Sequence, residues 1–133
     1  MKNGSILIEQ TLSASIHTVW KAITDQEEMR QWYFNTMEEF NPQVGFQTQF
    51  NVLNGGKNYL HLWKVVDVVP PKKISYDWKY GGYPGNSLVT FELSSEGDKT
   101  KIRLTHEHLE TFLPAVNPEL AKEKILWRAG HIL

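Results

Sequence analysis

Polar side chains that could do chemistry occur among the apolar positions of two predicted strands. His61 and Asp67 share the stretch YLHLWKVVDVV, and His106 lies in TKIRLTHEH. In a cavity, a histidine could orient a ligand carboxylate or hydroxyl, or act with an aspartate in acid–base work, because its pKa lies near neutrality. A single histidine on an apolar face is more often a hydrogen-bonded core residue. The pattern leaves both roles open.

The same stretch raises the question of a metal site. His106 and His108 are two residues apart, a spacing that puts both on one strand face and that metals do use. Glu107 points to the other face, and the sequence places no third ligand. Polar residues at a strand end are the favoured interpretation, so we predict no metal site and no cofactor.

Covalent catalysis finds no support in the sequence. There is no cysteine, and neither a G-x-S-x-G nor an H-E-x-x-H motif occurs. The glycine-rich stretch GGYPG lacks the Lys-Ser/Thr pair of a phosphate-binding loop. A cyclase-like or hydrolase-like enzyme that uses a His/Asp pair in a cavity remains as a minor alternative.

Composition bounds the class of protein. The 133 residues are 41% hydrophobic and carry a net charge of −1, which fits one domain spanning residues 1–133. A nearly neutral chain is atypical of nucleic-acid binders, which need a basic surface, and of proteins held electrostatically at membranes. The first apolar run is short and ends at Glu9, so we expect no signal peptide and a cytoplasmic location.

The elements that must position these residues follow from the hydrophobic spacing. A strand is expected over residues 6–12, and Ser15 can cap a helix whose apolar residues recur at helical intervals. A second short helix is expected over residues 26–31. From Met37 onward the pattern has period two, which indicates a run of antiparallel strands. Asn117 and Pro118 are typical of a final helix start.

These elements predict an α+β fold. Six or seven antiparallel strands would form a curved sheet around the C-terminal helix, with two short helices after the first strand.

Aromatic residues make up 12% of the chain, and three of them are consecutive in TDQEEMRQWYF. We expect Trp32 and Phe34 to turn inward beside Trp20, with Tyr33 nearer to water. The larger set of rings either forms an ordinary core or lines a partly open cavity, since ligand pockets are concave and mainly apolar.

Four segments, in order, resemble one family. They are VWKAITDQEEMRQW, VGFQTQF, VVDVVPPKKISYDW and VTFELSSEGDKTKIRLTHEHL. They are similar to segments of the bacterial homologues of the activator of the 90-kDa heat-shock-protein ATPase, a branch of the START-like superfamily. The resemblance covers about residues 6–131. It implies the helix-grip fold, and either a ligand cavity between sheet and helix or a co-chaperone-like, stress-response role in binding another protein.

The sequence therefore favours a binding protein for a small hydrophobic or lipid-like ligand. A protein partner or a second copy of the chain is the alternative, because a final helix shorter than the family's would leave the cavity open or require another subunit. The predicted ligand-binding residues line the concave side and its mouth. They are Trp32, Phe34, Phe50, His61, Trp63, Tyr76, Trp78, Phe91, His106 and Trp127.

Overall fold

The computed structural model describes residues 5–54 and 56–108. The elements follow one another as β1 (Ser5–Leu12), α1 (Ile16–Thr24), α2 (Gln26–Trp32), β2 (Gln47–Asn54), β3 (Lys57–Val69), β4 (Lys73–Tyr80), β5 (Ser87–Glu96) and β6 (Lys99–Glu107). The predicted C-terminal helix and Trp127 lie outside these residues.

The six strands form one antiparallel sheet in the order β1-β6-β5-β4-β3-β2. β6 crosses back to pair with β1, while β2 through β6 are joined as successive neighbours. This arrangement, with two helices after β1, confirms the predicted α+β helix-grip class. Within the described residues the sheet has six strands, the lower of the two predicted numbers.

The two helices begin at the predicted residues because side chains cap them. The Ser15 hydroxyl accepts a hydrogen bond from the Thr18 amide at 3.2 Å, and the Asp25 carboxylate accepts one from the Glu28 amide at 3.2 Å. Both caps satisfy amides that the first helical turn leaves without partners. Asp25 also ends α1, and its extended backbone separates the two helices.

The inner face of the sheet divides into two regions of different chemistry. Under α1, which packs against β5 and β6, the buried residues are aliphatic. They include Ile6, Ile8, Leu12, Val89, Leu93, Ile102 and Leu104. Toward the β2 edge the inward positions are mostly aromatic. One half of the sheet therefore has an ordinary aliphatic core, whereas the inner face of the other half is mainly aromatic.

None of the helices in the described part of the chain is long and apolar enough to cross a membrane.

Candidate functional site

The aromatic half of the inner face is the candidate site. We call it the inner aromatic surface, and it consists of Phe50, His61, Trp63, Tyr76, Trp78, Tyr80 and Phe91. Each of these side chains is at most 7% exposed. Alternation along each strand turns them to one face, and pairing aligns them across strands, with Trp63 opposite Trp78.

Trp63 lies at the centre of this surface. Its ring centroid is 4.4 Å from that of Tyr76, 4.9 Å from Phe50 and 5.1 Å from Trp78. The tilted and edge-on arrangements are those that aromatic quadrupoles favour. The rings therefore form one continuous surface across four strands.

The segment after α2 lies over this surface, and here one prediction was wrong. Tyr33 is not nearer to water: it is 4% exposed, and its hydroxyl lies 3.0 Å from that of Tyr76. The chain leaves the helix at Tyr33, so its ring stacks on Trp32 instead of pointing away from it. The helix predicted over residues 26–31 ends one residue before the observed α2, but nothing local in the sequence shows that Tyr33 meets Tyr76.

Phe34 is half-buried, and its ring contacts four members of the inner aromatic surface. The centroid distances are 5.0 Å to Phe50, 5.3 Å to His61, 5.7 Å to Trp63 and 5.8 Å to Trp78. Its ring therefore covers the surface near the β2 edge. Its inward orientation agrees with the prediction.

Trp32 is buried, as predicted, and its indole N–H donates to the carbonyl of Ala22 at 2.7 Å. That bond ties α2 to α1. Its ring meets Phe91 edge-on at 6.5 Å, at the border between the aliphatic and aromatic halves. Whether it binds a ligand stays a prediction, as for the other proposed site residues.

His61 is a buried neutral histidine. Its Nδ1 lies 3.0 Å from the carbonyl oxygen of Tyr59, which can only accept, so Nδ1 carries the proton. Burial lowers its pKa to about 4, although the bond to Tyr59 opposes that shift. At neutral pH it adds a polar but uncharged group to the surface.

His106 is fixed by a serine that the sequence analysis did not single out. The Ser87 hydroxyl donates to the carbonyl of Trp78 at 2.9 Å and lies 2.8 Å from His106 Nε2. Since that hydroxyl has one proton, it accepts from Nε2–H of the neutral ring. Burial lowers the pKa of His106 to about 3. Ser87 shares its strand parity with Val89 and Phe91, and that parity was the available signal.

Asp67 does not join either histidine. A β-bulge lies between Val65 and Asp67 in the pairing of β3 with β4, so the strand changes phase there. The Asp67 carboxylate is 46% exposed and makes an ion pair with Lys73 at 3.2 Å. It also lies six residues from His61, about 20 Å along an extended strand. The described residues therefore contain no His/Asp pair of the kind considered from the sequence.

The second histidine of THEH lies beyond the strand. β6 ends at Glu107, and His108 has a φ of 68°, which turns the chain away from strand geometry. Among the residues that the structure describes, no group of three potential metal ligands occurs.

Two buried donors on the inner aromatic surface make no hydrogen bond within the described part of the structure: the indole N–H groups of Trp63 and Trp78. Burial raises the pKa of the Tyr80 hydroxyl to about 12, and the nearby indole of Trp78 opposes that rise. The Tyr80 hydroxyl is therefore a polar neighbour of the Trp78 indole. A third unpartnered atom, Gln10 Oε1, lies on β1 at the opposite edge of the sheet.

Two of the open depressions among the described residues lie on the outer face of the sheet and have a different character. The larger, about 870 Å³, is lined mainly by charged and amide side chains. They include Glu38, Glu39, Gln47, Gln49, Lys64, Asp77 and Lys79. The smaller, about 360 Å³, includes Asp67, Ser75 and Thr90. Neither matches the apolar lining typical of a site for a hydrophobic molecule.

Comparison with known proteins identifies the family. The model of the family described as activator of Hsp90 ATPase homolog 1-like protein matches residues 13–124. The chain belongs to this family. The match spans α1, α2 and β2 to β6, so it includes every strand of the inner aromatic surface. It confirms the resemblance drawn from the four sequence segments and places the chain in the START-like superfamily.

Solved structures of proteins from several organisms share the fold of this chain. Protein CV1439 from Chromobacterium violaceum is 18% identical, with 97% of this chain and 94% of that chain covered and a TM-score of 0.81. Mll3558 from Rhizobium loti is 23% identical, with 97% and 96% covered and a TM-score of 0.81. PFC0360w, an HSP90 activator from Plasmodium falciparum, is 24% identical, with 96% and 90% covered and a TM-score of 0.68.

At these identities the likeness shows the fold alone. A comparison with curated proteins found no match. Membership of the activator of Hsp90 ATPase homolog 1-like family therefore supplies the architecture, and the function must be argued from the chemistry of the inner face.

Proposed function

We propose that this protein binds a small hydrophobic or lipid-like molecule at the inner aromatic surface. One observation carries the proposal: the inner face is divided. The half under α1 is packed with aliphatic residues, whereas the half on β2 to β5 is mostly large rings, several of which carry a polar group. A core needs only apolar volume, and aliphatic residues supply it elsewhere in the same sheet.

Aromatic side chains that carry a polar group suit the recognition of a ligand better than the filling of a core. An aromatic side chain offers a large flat area, and burial of apolar ligand surface would contribute about 25 cal/mol per Å². The few polar groups, among them His61, would set the orientation of the ligand. The predicted cavity between the sheet and the C-terminal helix would be the place for it, and the cytoplasm the expected compartment.

Binding of another protein is the second candidate, and the family supports it. The family model carries the name of an Hsp90 ATPase activator, and a fold relative from Plasmodium falciparum is described as an HSP90 activator. In this reading the aromatic rings would serve only as a core, and the contact with a protein partner would lie on the surface.

An enzymatic role has less support. Asp67 lies on the outer face, and Ser87 donates its proton to a backbone carbonyl instead of to His106. A serine nucleophile needs the opposite direction of proton donation, from the hydroxyl to the histidine.

Native mass spectrometry of freshly purified protein, without added ligand, tests the proposal. We expect an additional mass that is lost on denaturation, and the spectrum also reports whether the protein is a homodimer. Titration with 2-ethylnaphthalene, followed by tryptophan fluorescence, then measures binding of a neutral apolar probe directly.

Two phenylalanines provide a matched pair for this titration. Phe34→Ala removes a half-buried ring that lies on the inner aromatic surface, and we expect at least a tenfold weaker affinity for the probe. Phe46→Ala removes a half-buried ring that packs on Phe40, at 6.1 Å, and should leave the affinity within about twofold. An apo mass together with no binding of the probe would contradict the proposal and favour a protein partner.

A further inference from the structure

We propose that the ligand presents an uncharged hydrogen-bond acceptor, such as a carbonyl, ester or ether oxygen, to the indole N–H groups of Trp63 and Trp78. The inference rests on the proposed function, and it names the chemical class of the molecule that binds.

The two indoles are buried donors without acceptors in the described part of the structure. Trp63 is 2% exposed and Trp78 is 3% exposed. A buried donor normally has a partner, because its desolvation is otherwise uncompensated. Trp32 shows the usual outcome in the same molecule, since its N–H donates to Ala22. An acceptor supplied by a ligand would remove the deficit at Trp63 and Trp78.

The positions of the two donors suit a single group. Trp63 and Trp78 are directly opposite each other across β3 and β4, with ring centroids 5.1 Å apart. One oxygen atom has two lone pairs and can accept from two neighbouring donors. The inference rests chiefly on Trp63, because the Tyr80 hydroxyl is a polar neighbour of Trp78.

The electrostatics of the surface select against an anion. Within the described residues, no Asp, Glu, Lys or Arg side chain is buried. Both histidines of this region are held neutral, since burial lowers the pKa of His61 to about 4 and that of His106 to about 3. A carboxylate placed here would lose its hydration without gaining a cation. An uncharged acceptor avoids that cost.

Three probes of similar shape separate these features: 2-acetylnaphthalene has an uncharged acceptor, 2-ethylnaphthalene has none, and 2-naphthoate is an anion. We expect Trp63→Phe to weaken binding of 2-acetylnaphthalene about fivefold to tenfold more than binding of 2-ethylnaphthalene. Trp20→Phe is the control, because Trp20 lies on α1, outside the inner aromatic surface; it should leave the ratio of the two affinities unchanged. The wild-type protein should bind 2-naphthoate most weakly.

A measurement on the wild-type protein complements the variants and does not depend on their folding. In ¹⁵N-resolved NMR spectra, the indole N–H signal of Trp63 should lie further downfield with 2-acetylnaphthalene bound than with 2-ethylnaphthalene bound, because the two naphthalene rings exert similar ring-current shifts and only the first offers an acceptor.

The outcomes distinguish this inference from the proposed function. Equal loss of both affinities in Trp63→Phe, with no selective indole shift, overturns the inference and leaves hydrophobic binding standing. Naphthoate binding as tight as that of 2-acetylnaphthalene overturns the assignment of an uncharged ligand. If none of the probes binds to the wild-type protein, the proposed function fails and this inference fails with it.

Discussion

The hydroxyl oxygens of Tyr33 and Tyr76 lie 3.0 Å apart, although 43 residues separate the two tyrosines in sequence. Tyr76 is fully buried and Tyr33 is 4% exposed. Burial raises the pKa of the Tyr76 hydroxyl well above its usual value, and proximity to Tyr33 adds to that rise. The pair links the end of α2 to the middle of β4, and so fixes the segment that lies over the inner aromatic surface.

The two hydroxyls of this pair should be energetically coupled. Tyr33→Phe or Tyr76→Phe leaves one buried hydroxyl without its partner, at a cost of about 1 to 2 kcal/mol in the free energy of unfolding. The double variant should cost less than the sum of the two, with a coupling energy of about 1 kcal/mol. Urea unfolding of the four proteins measures this cycle. Strict additivity would show that the hydroxyls do not interact.

Stability should fall as the pH is lowered from 7 to 5. The pKa of His61 is lowered to about 4 and that of His106 to about 3, whereas an unfolded histidine has a pKa near 6.5. Below about 6.5 the unfolded chain takes up protons that the folded protein does not bind. Each histidine then contributes a slope of at most about 1.4 kcal/mol per pH unit, and this stability is lost progressively toward the folded pKa values.

Two variants test the origin of that slope. His61→Phe should reduce it by about half, because the ring still packs on Phe50 but no longer titrates. His17→Gln, at an exposed position on α1, should leave it unchanged. Urea unfolding at pH 7, 6 and 5 gives the slopes. Identical slopes for His61→Phe and the wild type would contradict the assignment.

Ser87→Ala should destabilise the protein strongly for so small a change. The hydroxyl bonds both the carbonyl of Trp78 and Nε2 of His106, and its loss leaves two buried polar groups without that partner. We expect a cost of about 2 to 3 kcal/mol, measured by urea unfolding. Ser94→Ala, at an exposed position of the same strand, should change the stability by less than about 0.5 kcal/mol. Equal effects at the two serines would refute this role.

Asp67→Asn should have little effect on either stability or ligand binding. Its ion pair with Lys73 is between two side chains that are 46% and 40% exposed, and exposed pairs contribute at most about 1 kcal/mol. Titration with 2-ethylnaphthalene should give the wild-type affinity. A large loss of affinity would place Asp67 in the site and revive the His/Asp hypothesis.

The sequence predicted the fold well because its signals are local and repetitive. Ser15 caps α1 through a contact within three residues, and the alternation in β3 to β6 assigns most inward positions. His61, Trp63 and Tyr76 are inward for that reason. The agreement follows from the strict period of two in a half-buried strand.

The remaining details depend on contacts that are distant in sequence. Tyr33 was placed near water because nothing local shows that it meets Tyr76. Ser87 was overlooked because its role depends on His106, on the neighbouring strand. That the indole N–H groups of Trp63 and Trp78 lack acceptors becomes apparent only when their neighbours in the folded protein are known.

The bulge at Val66 gives β3 one residue more than regular pairing with β4 needs. If Val66 paired with Ser75, Asp67 would come opposite Ile74, whose side chain is fully buried, and a carboxylate would face the core. The extra residue therefore keeps Asp67 outside and Val68 on the inner side. Deletion of Val66 would leave both side chains on their present faces, so a relative whose β3 is one residue shorter aligns with this chain when the gap is placed at the bulge.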